Sequence, residues 1–230
     1  LIINCAAYTN VEKAEDDMYM ADLLNHRVPE ILAEVSLARN ATLIHISTDY
    51  VFDGVGRSLP YREVDTPQPC NVYGATKLAG EDAVIRSGCK YIIIRTSWLY
   101  SPYGKNFVST ILQRLRSGKD LRVVYDSVGT PTFAADLAGA IMEIIRSAQL
   151  DKCGLYNYSN EGVASWYDFA QAVREISGSS ARIWPVLSDE YPTKAHRPAY
   201  SVLDKSLFKK TFGIEIPYWI DSLRKCMSEL

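Results

Sequence analysis

No two of the five cysteines (Cys5, Cys70, Cys89, Cys153 and Cys226) form a CxxC pair. Odd in number and widely spaced, they argue against a disulfide framework or a zinc site and for free thiols in a reducing cytoplasm. Histidine is scarce, with three dispersed residues, so no metal centre is expected. No apolar run is long enough to span a bilayer. The opening LIINCAAYTN lacks the basic region of a signal peptide. Net charge is −2 with no basic tract, which argues against nucleic acid or a membrane as partner. Neither an internal repeat nor a low-complexity segment occurs. What is present is a 230-residue chain, 47% hydrophobic and 23% charged, the composition of a soluble globular protein with a substantial core.

Apolar, β-branched runs alternate with helical patterns. LIINC, ATLIHIS and YIIIRTS read as strands covered on both faces. Between them lie a helical pattern over about residues 17–39, interrupted by Pro29, and a second over 73–86 that Gly88 ends. Helices are also expected near 106–117 and 133–147, on either side of a short strand LRVVY. This order predicts an α/β fold, a Rossmann-like doubly wound parallel sheet. The last third changes character. GLYNYSN and ARIWPV read as strands, and SWYDFAQAVREISG as a helix with Ser165 and Asp168 forming a capping box. DKSLFKKTFG and PYWIDSLRKCMSEL read as further helices, and the density of aromatics and prolines suits a smaller α/β substrate lobe over the carboxyl edge of the sheet. The expected division is a nucleotide-binding part, 1–97 and 120–148, and a substrate lobe, 98–119 and 149–230.

Three segments carry candidate chemistry. HISTDYVFDG places Thr48 just past the end of an apolar strand, where a hydroxyl can meet a ligand or merely satisfy a turn. NVYGATKLAGE puts Tyr73 and Lys77 one helical turn apart, so that an ammonium could tune a phenol for proton transfer. RTSWLY ends another apolar strand in polar and aromatic residues, with Trp98 either core or pocket wall. Their shared position at carboxyl ends of successive strands is what links them, because that edge is one surface.

NCAAYTNVEKAE, HISTDYVFDG, VYGATKLAGE, RTSWLY, NFV and VGTPTFAADLA together resemble the extended short-chain dehydrogenase/reductases, in particular those that reduce dTDP-linked keto sugars; RPAYSVLDKSLFKKTFG adds to the likeness. The resemblance covers essentially the whole chain. It implies an NADPH- or NADH-dependent oxidoreductase that reduces the C4 keto group of dTDP-4-dehydro-L-rhamnose to dTDP-L-rhamnose. It implies Thr48, Tyr73 and Lys77 as the catalytic triad, with Tyr73 giving the proton and Lys77 also binding the nicotinamide ribose. The lysine is expected to draw the phenol down from about 10 toward neutrality. Ala6, Ala7, Tyr8 and Asn25 are implied along the cofactor, and Tyr50, Trp98 and Asn106 near the sugar nucleotide. Arg197 is expected either to clamp the diphosphate or to form a surface ion pair. Mg2+ enters by resemblance alone, and a homodimer is admitted.

Three departures stand out. The glycine-rich turn GxxGQxG is absent, and the chain starts at what resembles a fourth strand; by analogy with a whole dinucleotide fold about 50–60 residues would precede it. The fold is therefore expected to be incomplete at its amino end. Ser127 stands where the family commonly has glutamine, and Arg27 and Val28 are bulkier than the residues usual after Asn25. Two other readings stay open: a reductase of another nucleotide-linked keto sugar, and a non-catalytic relative resembling the regulatory subunit of methionine adenosyltransferase.

Overall fold

A computed structural model describes residues 1–230. The chain opens with β1 (Ile2–Asn4), α1 (Val11–Ala14) and α2 (Met18–Asp22). From α2 it passes through a π turn, Leu23–Arg27, into α3 (Val28–Ala38). The 17–39 pattern is thus interrupted, and Pro29 explains it: without an N–H it cannot bond the Asn25 carbonyl, and the preceding turn widens until Val28 N donates to the Leu23 carbonyl. Next come β2 (Thr42–Thr48), a 3-10 turn at Asp49–Val51, α4 (Val72–Arg86), β3 (Lys90–Thr96), β4 (Leu99–Tyr100), α5 (Phe107–Arg116) and β5 (Leu121–Val124). Then follow β6 (Val128–Gly129), β7 (Thr132–Phe133), α6 (Ala134–Arg146), β8 (Gly154–Asn157), β9 (Ala164–Ser165) and α7 (Trp166–Ile176). The chain closes with β10 (Ile183–Val186), α8 (Ser206–Phe212) and α9 (Trp219–Met227). No helix is long and apolar enough to cross a membrane.

The main sheet is parallel throughout, in the order β1-β2-β3-β8. Alternation along β2 and β3 assigns each residue a face. Ile44, Ile92 and Ile94 pack with Leu137, Ile141 and Ile144 of α6 and with Phe208 and Phe212 of α8. Leu43 and Ile93 point the other way, to Ala33 of α3 and Val84 of α4. Helices therefore cover both faces, which is why these strands read as unbroken apolar runs. A separate core of Tyr100, Val108, Leu112, Phe133, Phe169, Val173 and Leu223 joins α5, α7 and α9. The Ser165–Asp168 capping box that starts α7 is formed.

The sheets divide the chain differently from the expected residue ranges. β5, placed by sequence order in the nucleotide part, pairs with β10 about sixty residues on, in the second core. Conversely β8 completes the main sheet and α8 packs beneath it, although both fall in the range expected for the substrate lobe.

Two glycines let α4 lie unusually close to its neighbours. A Cβ on Gly74 would stand 2.1 Å from the Tyr50 carbonyl, and one on Gly80 2.1 Å from the Asn25 carbonyl. The small residues around Tyr73 and Lys77 thus reflect backbone-on-backbone packing. β2 and β3 end in register, Thr48 opposite Thr96, at the edge where α4 begins.

Candidate active site

A cavity of about 420 Å³ opens at that edge, between the main sheet and the second core. Thr48, Asp49, Tyr50, Tyr73 and Lys77 line one side; Trp98, Tyr103, Lys105, Asn106 and Trp166 line the other, with Ala7 and Arg197 also at its wall.

Thr48, the last residue of β2, is buried; its hydroxyl accepts from Tyr50 N at 3.1 Å and lies 3.2 Å from Asp49 Oδ1. Tyr73 sits in the first turn of α4, which Asn71 caps by accepting from Gly74 N at 2.7 Å. The Asn71 amide also donates to the His196 carbonyl at 2.8 Å, so one side chain starts the helix and ties it to the loop carrying Arg197. Tyr50 meets Tyr73 edge to face, ring centroids 5.8 Å apart. Burial pushes the Tyr73 phenol up to about 12; the Thr48 hydroxyl opposes that shift and the Asp49 charge adds to it. The phenol therefore holds its proton at neutral pH.

This corrects the expected action of Lys77. Its ammonium, 1% exposed, does not pair with the phenol but donates to the Ile46 carbonyl at 2.6 Å. A buried ammonium needs an acceptor, and the β2 backbone supplies one near its carboxyl end. Burial pulls Lys77 down to about 8, opposed by the attraction of Glu81 one turn further along α4. Glu81 in turn holds Arg95 in a buried bidentate pair, with N–O distances of 3.0 and 2.6 Å, and accepts from the Ser47 hydroxyl. Asp49, also buried, is pushed up to about 7 by burial, and its Oδ2 has no hydrogen-bond partner.

Of the turn after β1, Ala7 lines the cavity; Ala6 and Tyr8 do not. Asn25 is a further correction. It is fully buried and its side chain is engaged within the protein, accepting from Tyr8 N at 2.8 Å and donating to the Tyr8 carbonyl and to Thr76 Oγ1. It braces the Ala6–Tyr8 turn against α4 and does not face the cavity. Asn106 lines the cavity, yet its side chain caps α5 and donates to the Ser101 carbonyl at 2.8 Å. Ser127 is buried and does not line the cavity.

Arg197 forms an ion pair at the cavity wall. It borders the cavity while pairing with Glu12 at 2.7 Å, and one of its nitrogens lies 3.5 Å from the Tyr50 hydroxyl. Trp98 has a left-handed backbone, φ 46°, rare for a bulky residue. Trp166 stacks on it with ring centroids 3.6 Å apart, and a Cβ on Gly129 would come within 2.7 Å of its ring. The indole is thus sandwiched and forms a fixed aromatic wall. Trp166, Lys105, Tyr103 and Asp49 escaped the sequence reading. Trp166 opens the helix read from SWYDFAQAVREISG, and its place in the first turn directs it toward the cavity. No group of three or more His, Cys, Asp or Glu side chains is placed to hold a metal ion.

A phenol and an ammonium on the helix that meets the carboxyl edge of a doubly wound sheet are the arrangement of NAD(P)-dependent short-chain oxidoreductases, and this chain is of that class. Within it, the chain belongs to the family described as RmlD substrate binding domain, which matches residues 1–230. It is 42% identical over 233 residues to the dTDP-4-dehydrorhamnose reductase of Sinorhizobium fredii, spanning 98% of this chain and 78% of that one. It is 39% identical over 229 residues to the spore coat polysaccharide biosynthesis protein SpsK of Bacillus subtilis, spanning 100% and 79%. The crystal structure of dTDP-4-dehydrorhamnose reductase from Bacillus anthracis in complex with NADP aligns with a TM-score of 0.94 at 37% identity, over 100% of this chain and 80% of that one.

Proposed function

We propose that the chain carries the acid catalyst and substrate pocket of an NAD(P)H-dependent reductase that converts dTDP-4-dehydro-L-rhamnose to dTDP-L-rhamnose. The observation that carries this reading is the convergence of Thr48, Tyr73 and Lys77, from β2 and α4, on one cavity at the sheet's carboxyl edge. The residues there fit a nicotinamide cofactor: a buried lysine reaches the cavity, and the small Ala7 lets the β1 turn approach closely. When bound, the reduced nicotinamide supplies hydride to C4; NADPH and NADH both suit that chemistry.

The chain's own residues handle the proton. Tyr73, protonated at neutral pH, gives its proton to the C4 oxygen as negative charge develops there. Thr48 is placed to donate to the same oxygen. Once the proton has left, the Lys77 cation one turn along α4 favours the phenolate on Tyr73; in the resting site burial outweighs that attraction and the phenol stays protonated. Arg197 and Lys105 are the cations at the cavity wall suited to a diphosphate, and Trp98 and Tyr50 provide flat surfaces for sugar or base.

Purified full-length protein given NADPH or NADH and the keto sugar should consume the nicotinamide and form dTDP-L-rhamnose. Tight binding of both ligands without turnover would favour the non-catalytic reading; turnover of a different nucleotide-linked keto sugar alone would redirect the substrate. Sedimentation of the same protein tests the homodimer.

A further inference from the structure

Below the cavity, α4 is keyed to the two central strands by one carboxylate. Glu81 lies on the same face of α4 as Lys77, one turn on, and is 1% exposed. It accepts the Ser47 hydroxyl from β2 and both Nε and Nη2 of Arg95 from β3. Ser47 is the neighbour of Thr48, and Arg95 the neighbour of Thr96, so the clamp grips both strands one residue short of the cavity edge. Arg95 is 3% exposed, and its guanidinium stands 5.1 Å from the Phe52 ring.

We propose that Glu81, held by Ser47 and Arg95, is a positioning residue for the reaction: it fixes the turn of α4 that carries Lys77 against β2 and keeps that lysine cationic. This rests on the reductase reading above. A buried carboxylate is costly unless fully hydrogen-bonded, and Glu81 has strong donors from two strands. Glu81 stands one helical turn from Lys77 on the same face of α4, and its attraction works against the burial that pulls Lys77 down to about 8. The other groups facing Lys77 cannot do this. His45 of β2 is held neutral by burial and by Lys77 itself, and Asn4 of β1, which bonds His45 at 3.0 Å, carries no charge. Tyr73 of α4 is protonated at neutral pH. Asp49 of the 3-10 turn, pushed up to about 7, is only partly ionised there. Glu63 is raised by burial and accepts from Asn157 N at 2.9 Å.

The test uses full-length protein labelled with 15N-lysine, in which the Lys77 ammonium, assigned with Lys77→Arg, is titrated by NMR. Glu81→Gln should lower the Lys77 midpoint by about one unit or more. Glu81→Gln with Arg95→Met removes two opposite charges together, so the interior stays balanced; its midpoint should move the same way. The alkaline limb of kcat/KM should fall at lower pH in both, with the KM for the sugar nucleotide within about twofold of the parent, since the clamp does not touch the sugar. An unmoved Lys77 midpoint in a folded variant overturns the proposal. Loss of folding in both variants also overturns it, by showing that the clamp serves the fold and not the lysine. Lack of turnover by the parent would count against the reductase reading alone, because the lysine titration needs no substrate.

Discussion

On the sheet side of the cavity Ser47, Thr48, Asp49, Lys77 and Glu81 are all buried, and three of them carry ionisable groups. On the other side Trp98 and Trp166 stack, Phe107 tilts against Trp166 at 4.7 Å, and the residues behind them are almost wholly apolar. The first wall comes from strand ends and a helix start, elements locked by the parallel sheet. The second comes from a strand end, a loop and the first turns of α5 and α7. Polar groups in a dry, rigid setting act strongly on charge. Flat aromatic surfaces recognise shape and apolar area. The contrast assigns chemistry to one wall and recognition to the other, and substitutions should separate kcat from KM accordingly.

The largest effect is expected from Tyr73→Phe, which keeps the ring and removes the proton donor. kcat should fall by about 10²–10⁴, while the Kd for NADPH measured by titration calorimetry changes little. A retained kcat would remove the basis for calling the sheet wall the chemical one. Thr48→Val should cost about 10² in kcat with KM nearly unchanged, because the lost donor matters most once charge sits on the C4 oxygen. If KM rises instead, Thr48 belongs to recognition. Trp166→Ala leaves Trp98 without its stacking partner. KM for the sugar nucleotide should rise about tenfold, equivalent to roughly 1.4 kcal/mol of lost binding, with kcat within a fewfold of the parent. An equal fall in kcat would erase the division between the walls.

The smallest effect sharpens the sheet side through pH. Burial raises Asp49 from an ordinary carboxyl value to about 7, so the folded protein binds a proton that the unfolded chain releases above about 4. Stability from this group is therefore greatest in acid, declines as pH rises from about 4, and is lowest above about 7. Asp49→Asn should melt a few degrees higher than the parent at pH 8, with the difference closing as pH approaches 4. Scanning calorimetry across that range measures it, and a difference that does not change with pH would show that the carboxyl is not the cause.

Much of this architecture was legible in the sequence. Unbroken runs such as TLIHIST and YIIIRT announced strands covered on both faces, and the Tyr73–Lys77 spacing placed two functional groups on one face of α4. Partners distant in the chain were not legible. Nothing in LRVVY says that it pairs with IWPV, because alternation fixes a strand's faces and not its neighbour. Side-chain commitments were hidden for a similar reason. Asn25 is a cofactor candidate by position, but its amide braces a turn, a role visible only once Tyr8 and Thr76 stand beside it. Which acceptor the Lys77 ammonium would take was equally hidden, because it depended on the depth of α4 against β2.

That depth has a mechanical side. Where α4 meets the 3-10 turn at Gly74 and the π turn at Gly80, main-chain atoms touch main-chain atoms with no side chain between them. Most helices rest on side chains that can change rotamer and so absorb small displacements. Here the spacing is set by atomic radii alone, and α4 behaves as a stop seated at two points, one next to Tyr73 and one three residues past Lys77. The gap between the phenol and the Thr48 hydroxyl is thereby held to a tight tolerance, in chemistry where an error of about 1 Å costs roughly a hundredfold in rate.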